Sequence, residues 1–152
     1  MGRSKLPFHT KDYTYDKEKR TFVPLLEILI GSDESRKKIS AYVDTGCTTC
    51  MHFCRSFVEK EGLKLGTKMN NEPIPFLVAD GHTINGDYYK AFCNIAGEEK
   101  EIVVSVIDPE KAFKEERIDV VTVEPLLGLG ILHTYDVLFK GKEKRILFFR
   151  PE

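Results

Sequence analysis

The stretch Lys37-Lys38-Ile39-Ser40-Ala41-Tyr42-Val43-Asp44-Thr45-Gly46 decides the fold. Lys37 to Val43 reads as a strand that ends abruptly at Asp44-Thr45-Gly46. Upstream, Thr21 to Ile30 carries the apolar run Leu25-Leu26-Glu27-Ile28-Leu29-Ile30 and reads as another strand. Gly31-Ser32-Asp33-Glu34-Ser35 between them is a loop rich in turn formers, so the pair is expected to form a hairpin.

Downstream, short apolar segments alternate with frequent turn signals, the pattern of a mostly β domain. Cys54 to Lys60 is expected as a short helix, with Gly62 just past its end. Pro73 to Ala79 is expected as a strand, Asp80-Gly81 as a tight turn, and His82 to Asn85 as the start of the returning strand. Gly86 is expected to bend or bulge that strand before Tyr88 to Ile95. Gly97-Glu98-Glu99 then turns into a strand from Glu101 to Ile107. A surface helix over Pro109 to Arg117, capped by Asp108, precedes a strand from Ile118 to Val123. Leu126-Leu127-Gly128 leads into a short apolar helix over Ile131 to Val137, and Arg145 to Phe149 forms the last strand.

A carboxylate at the end of a strand can be held by backbone N–H groups of a tight loop, and Gly46 permits a backbone path that a side chain would block. Peptide hydrolysis by carboxylates alone needs two of them about 3 Å apart sharing one proton. The chain holds one Asp-Thr-Gly and no Asp-Ser-Gly, and it is too short for two such lobes. Under that chemistry a second carboxylate would have to come from a second copy, with Asp44 beside its own mate on a two-fold axis.

The order of Val43-Asp44-Thr45-Gly46, the Asp80-Gly81 hairpin tip, Leu126-Leu127-Gly128 and a following apolar helix resembles the retropepsin-like aspartic proteases. The resemblance runs from about Val23 to Phe149. It implies an all-β chain, mostly β with one to three short helices, in a closed β-barrel-like acid protease fold. It makes Asp44 the catalytic carboxylate, lets Thr45 hydrogen-bond across the dimer interface, and sets Gly46 against substrate and water. It also implies a flap over bound peptide, with Ala79, Asp80, Gly81 and His82 as substrate-binding residues. Cys47 stands where relatives usually carry Ala, Ser or Thr. Gly130 stands where they usually carry Asp or Asn, which puts the details of the interface in question.

The 152 residues suit one domain, with residues 1–20 as a polar N-terminal arm and 21–152 as the protease-like domain. Lys plus Arg is 23 and Asp plus Glu is 24, a balance that argues against a general nucleic-acid binder. No apolar run reaches the ~18 residues of a membrane span. Residues 1–20 lack the apolar core of a secretory signal, so the four cysteines are expected to be reduced in a cytoplasmic setting. Cys47, Cys50, Cys54 and His52 form a spacing that zinc or an iron–sulfur centre could use, but no second CxxC follows, and buried reduced thiols are the commoner outcome. No metal and no cofactor are expected. His9, His52, His82 and His133 form no evident motif.

The leading expectation is a homodimeric aspartic endopeptidase acting on peptide or protein substrates. A retropepsin-like module that has lost turnover, serving dimerisation or peptide binding, is the alternative. A small metal-binding β domain is the third reading.

Overall fold

The computed structural model describes residues 6–77, 81, 83–108 and 125–152. The expected hairpin forms from β4 (Leu25–Gly31) and β5 (Arg36–Val43), in a register that pairs Ile28 with Ile39 and Leu25 with Tyr42. Leu26, Ile28 and Ile30 of one strand and Ile39, Ala41 and Val43 of the other point into the core, as the two-residue period of a strand requires. The run expected as one strand from Thr21 to Ile30 is split at Pro24 into β3 (Thr21–Val23) and β4. Proline has no N–H to give to a ladder; its carbonyl instead accepts the Val43 N–H at 2.9 Å.

β6 (Met51–Cys54), β8 (Thr83–Ile95), β9 (Glu98–Ile107) and the two-residue β10 (Leu126–Leu127) complete the main sheet. Its order is β4-β5-β10-β6-β9-β8, and β8 pairs back onto β4 from Ile28↔Ile95 to Gly31↔Phe92. Six strands thus close into a barrel, which leaves no free edge on that ring. β7 (Ile74–Leu77) lies outside the ring as a seventh strand, paired with β8. Met51, Phe53, Val104, Val106 and Leu127 join the hairpin's apolar residues inside, each fully buried side chain contributing about 1.5–3 kcal/mol.

Two expectations in this region are corrected. β8 runs unbroken through Gly86, so that glycine makes no bulge. A Cβ there would lie 2.5 Å from the Val106 carbonyl and 3.0 Å from the Phe76 ring, so its role is to let strands approach. The β8–β9 turn falls at Ala96-Gly97, both at positive φ (52° and 84°), so β9 begins at Glu98 rather than Glu101. Two residues of that kind make the turn type that matches strand twist.

α1 (Arg55–Lys60) stops as expected. The Gly62 N–H donates to Glu59 O and the Leu63 N–H to Val58 O, the paired bonds of a Schellman ending. The helix expected over Ile131 to Val137 is only α2 (Leu129–Leu132); Asp136–Lys140 is instead β11, antiparallel to β12 (Arg145–Phe149). β1 (His9–Asp12), within the segment read as an arm, pairs with the other side of β12. Ile146 and Phe148 of β12 are buried against Tyr135 and the barrel. β2 (Thr14–Asp16) pairs with β3. The helix and strand expected over 109–123 lie outside the described residues. Among the described residues no helix is long and apolar enough to cross a membrane.

A charged cluster joins α1 to the base of the β7–β8 hairpin. Arg55 reaches Asp87 at 2.8 Å and Asp108 at 3.0 Å, while Lys68 and the Asn70 amide sit 3.2 and 2.9 Å from the other oxygen of Asp87. Asp87 is only 9% exposed. Burial alone would push its pKa up, but the Asn70 amide and the Lys68 and Arg55 cations outweigh that and hold it below 3.8. A depressed carboxyl pKa stabilises the fold above the unfolded value, and this contribution is lost as pH falls through the folded value. Asp87→Asn should therefore lose about 2 kcal/mol in urea unfolding at neutral pH. The deficit should shrink below pH 3.8. A deficit of equal size at both pH values would remove the carboxylate's charge from the explanation.

Candidate active site

The last residues of β5 are flanked by β4 on one side and by β10 on the other. β10 lies parallel to β5, with Leu126 opposite Tyr42 and Leu127 opposite Val43. On its other side it is antiparallel to β6, with Leu127 opposite Met51. The Tyr42 N–H donates to Pro125 O and the Asp44 N–H to Leu127 O, both at 2.9 Å. The chain leaving β5 must therefore arch over the end of β10 to reach β6, and residues 44–50 are that arch.

Three successive N–H groups after β10 tie the arch down. Gly128 donates to Cys50 O at 2.9 Å, Leu129 to Cys47 O at 2.7 Å and Gly130 to Thr49 O at 3.3 Å. The contact is close enough to demand glycine: a Cβ on Gly128 would lie 2.3 Å from the Thr49 carbonyl oxygen and 2.6 Å from that of Cys47. A Cβ on Gly130 would lie 2.8 Å from the Cys50 N and Sγ. With the arch in this position, an Asp or Asn side chain at position 130 would not fit without a shift of the Cys50 backbone.

Asp44, Thr45 and Gly46 come together at the crown. The Gly46 N–H donates to Asp44 Oδ1 at 2.8 Å, and the Cys47 N–H to the Asp44 carbonyl at 3.3 Å. Asp44 is half-buried, while Thr45 and Gly46 are exposed. One carboxylate oxygen is thus fixed by a backbone donor on a loop whose own backbone is anchored below, with the crown open on its outer side. Such a group can accept a proton from water or share one with a second acid.

The β7–β8 hairpin is present, with Leu77↔Thr83 as its last pair toward the tip. Gly81 sits at φ +89° with nothing near its Cβ position. Ala79, Asp80 and His82, expected to contact substrate, lie outside the described residues.

No three of the described His, Cys, Asp and Glu residues are grouped to hold a metal ion. All four cysteines are free thiols. Burial raises the pKa of Cys50 and pushes that of Cys93 up to about 12, which keeps both as weakly reactive thiols.

Sequence reading missed the polar contacts beneath the arch. His52 Nδ1 lies 2.7 Å from Ser105 Oγ, and Thr49 Oγ1 lies 3.2 Å from the same hydroxyl. The one available signal was Ser105 itself, a polar residue in the apolar run Val103-Val104-Ser105-Val106-Ile107.

A closed six-strand barrel, with an Asp-Thr-Gly arch seated on an inserted parallel strand and a hairpin at the barrel's edge, is a retropepsin-like fold. Among solved structures, the chain is similar to EIAV protease complexed with the inhibitor HBY-793. The TM-score is 0.51 and the identity 21%, over 79% of this chain and 91% of that one. The likeness is one of fold. No family model matches the sequence, and no curated protein matches it.

Proposed function

We propose that the chain is an aspartic endopeptidase whose active site is completed by a second copy of itself. The observation that carries this is the Asp44 carboxylate, held by the Gly46 N–H at the open crown of an anchored arch. A purely structural loop has little use for an acid in that position. The chain has only one Asp-Thr-Gly, so the second acid is the Asp44 of a two-fold mate.

Two carboxylates in contact cannot both ionise, so the pair holds one proton and titrates as a unit. The ionised member takes a proton from water as the water oxygen bonds to the peptide carbonyl carbon. The protonated member gives its proton to the carbonyl oxygen. Collapse of the resulting diol breaks the C–N bond: the pair's proton passes to the leaving amine while a diol hydroxyl returns its proton to the ionised member, so the pair again holds one proton. Thr45 lies beside Asp44 at the exposed crown, where it can bond across the two-fold axis. The β7–β8 hairpin serves as the flap, with Gly81 at its tip and Ala79, Asp80 and His82 against the substrate. Lids of this kind exclude water and align the scissile bond.

A peptide-library cleavage assay over a wide pH range, with and without a pepstatin-type inhibitor, tests the reading. Cleavage with a bell-shaped pH dependence, stopped by the inhibitor, is expected. No cleavage at any pH by a folded dimer would leave the non-catalytic module as the better account.

A further inference from the structure

The arch and the hairpin meet at His52. On one side, contacts run from His52 Nδ1 to Ser105 Oγ (2.7 Å), on to Thr49 Oγ1 (3.2 Å) and then to Cys47 Sγ (3.4 Å). The Cys47 N–H donates to the carbonyl of Asp44. On another side, the imidazole lies against Phe76 of β7, with ring centroids 6.2 Å apart, and Phe76 rests edge-on against Tyr88 at 5.2 Å. Ser105 is fully buried.

We propose that His52 is a positioning residue that couples closure of the β7–β8 hairpin to the seating of the Asp44 arch, and that protonation of its imidazole releases the hairpin. This rests on reading the hairpin as a flap and Asp44 as catalytic.

The hydroxyl network has two satisfied arrangements. With neutral His52, Ser105 donates to Nδ1 and accepts from Thr49. An imidazolium has donors at both nitrogens and no acceptor. Ser105 must then turn its proton to its other acceptor, the Met51 carbonyl at 3.2 Å, and Thr49 has that same carbonyl at 3.2 Å. Neither state leaves a buried hydroxyl unpaired, so the cost of switching falls on the charged ring. His52 is half-buried, and a cation there gains from fuller access to water. Phe76 is the neighbour able to leave, because among the described residues β7 is the end strand and pairs with β8 alone.

Behind Phe76 lie the Tyr88 ring of β8 and a cluster of Cys54, Ile84 and Ile107, and Leu126 of β10 is the strand partner of His52. Among the described residues none of these supplies a charge that shifts His52. Burial alone lowers its pKa from 6.5. Phe76 packed against the ring shields it from water, so the form with Phe76 in place binds a proton more weakly, and falling pH favours its release.

The test is an NMR titration of the imidazole together with hydrogen exchange of backbone amides, corrected for intrinsic rates, on the full chain. The midpoint should lie below 6.5. Protection of the β7 amides should fall by up to about tenfold per pH unit through that midpoint. The Gly46 and Cys47 amides should respond with them, while the β8–β9 ladder holds. His52→Phe fills the same space and leaves Ser105 and Thr49 the Met51 carbonyl; it should abolish the response. Ser105→Ala keeps the imidazole and cuts the link, so β7 should still respond and the arch should not. A pH-independent β7, an equal fall in His52→Phe, or an arch still responding in Ser105→Ala would each overturn the proposal. Neither readout needs turnover, so a protein that cleaves nothing would defeat the peptidase reading without touching these results.

Discussion

Asp44→Asn should reduce peptide cleavage by on the order of 10³-fold or more while leaving the fold and the dimer in place. Asparagine is nearly isosteric, and its side-chain oxygen can still accept the Gly46 N–H that now reaches Asp44 Oδ1 at 2.8 Å. What it cannot do is take a proton from water or share one with a mate. Thermal melting should stay within about 0.5 kcal/mol of wild type, as for a substitution that breaks no packing. Cleavage assays and melting curves on the same preparation check both halves. Retention of most activity would remove Asp44 from the chemistry. A loss accompanied by unfolding would leave its role undecided between support and catalysis, and activity per folded chain separates those two.

Gly128→Ala should damage both stability and activity. Its new Cβ would stand 2.3 Å from the Thr49 carbonyl oxygen, 2.6 Å from that of Cys47 and 2.8 Å from the Cys47 thiol. Two of these are backbone atoms of the arch, so they cannot swing aside as a flexible side chain would. The arch must lift from β10, straining the bonds from Gly128, Leu129 and Gly130. Overpacking of this kind costs about 1–3 kcal/mol. A displacement of about 1 Å at a reacting group can cost about 10²-fold in rate. Gly141→Ala is the control, since nothing lies within 4 Å of a Cβ at that position. Urea unfolding and kcat/KM for both variants check the expectation. Wild-type values for Gly128→Ala would mean that the arch is not held as described.

The parts legible in the sequence were those set by local pattern. The β4–β5 hairpin, the end of α1 at Gly62 and the final strand each follow from residues close together in the chain. The misses share a physical cause. Pro24 interrupts an apolar run that otherwise reads as one strand, and only a missing N–H tells the two apart. Val137 follows the apolar pair Ile131-Leu132 closely enough to suggest one helix, but pairing with Phe148 of β12 makes it a strand residue. At Gly86 the local rule gave a bend or bulge, whereas the Val106 carbonyl and Phe76 ring, contributed by other strands, set the demand for glycine.

The candidate site divides the same way. Asp44-Thr45-Gly46 announces itself as a motif, and Leu126-Leu127-Gly128 could be matched to it only through the resemblance, since a two-residue strand has no period to read. The pairing of His52 with Ser105 spans 53 residues and depends on β6 lying beside β9, which no local pattern encodes. Gly130, read as the loss of a polar group, is also a contact in its own right, closed over the Cys50 backbone.

The central claim is that one active site takes Asp44 from two chains, and subunit mixing tests it most directly. Wild-type and Asp44→Asn chains are combined at a fixed total concentration and allowed to exchange. If both carboxylates are required, activity follows the square of the wild-type fraction, and an equal mixture keeps about one quarter of the all-wild-type rate. An equal mixture that keeps about one half, with activity linear in the wild-type fraction, would mean that each chain works alone and would contradict the account.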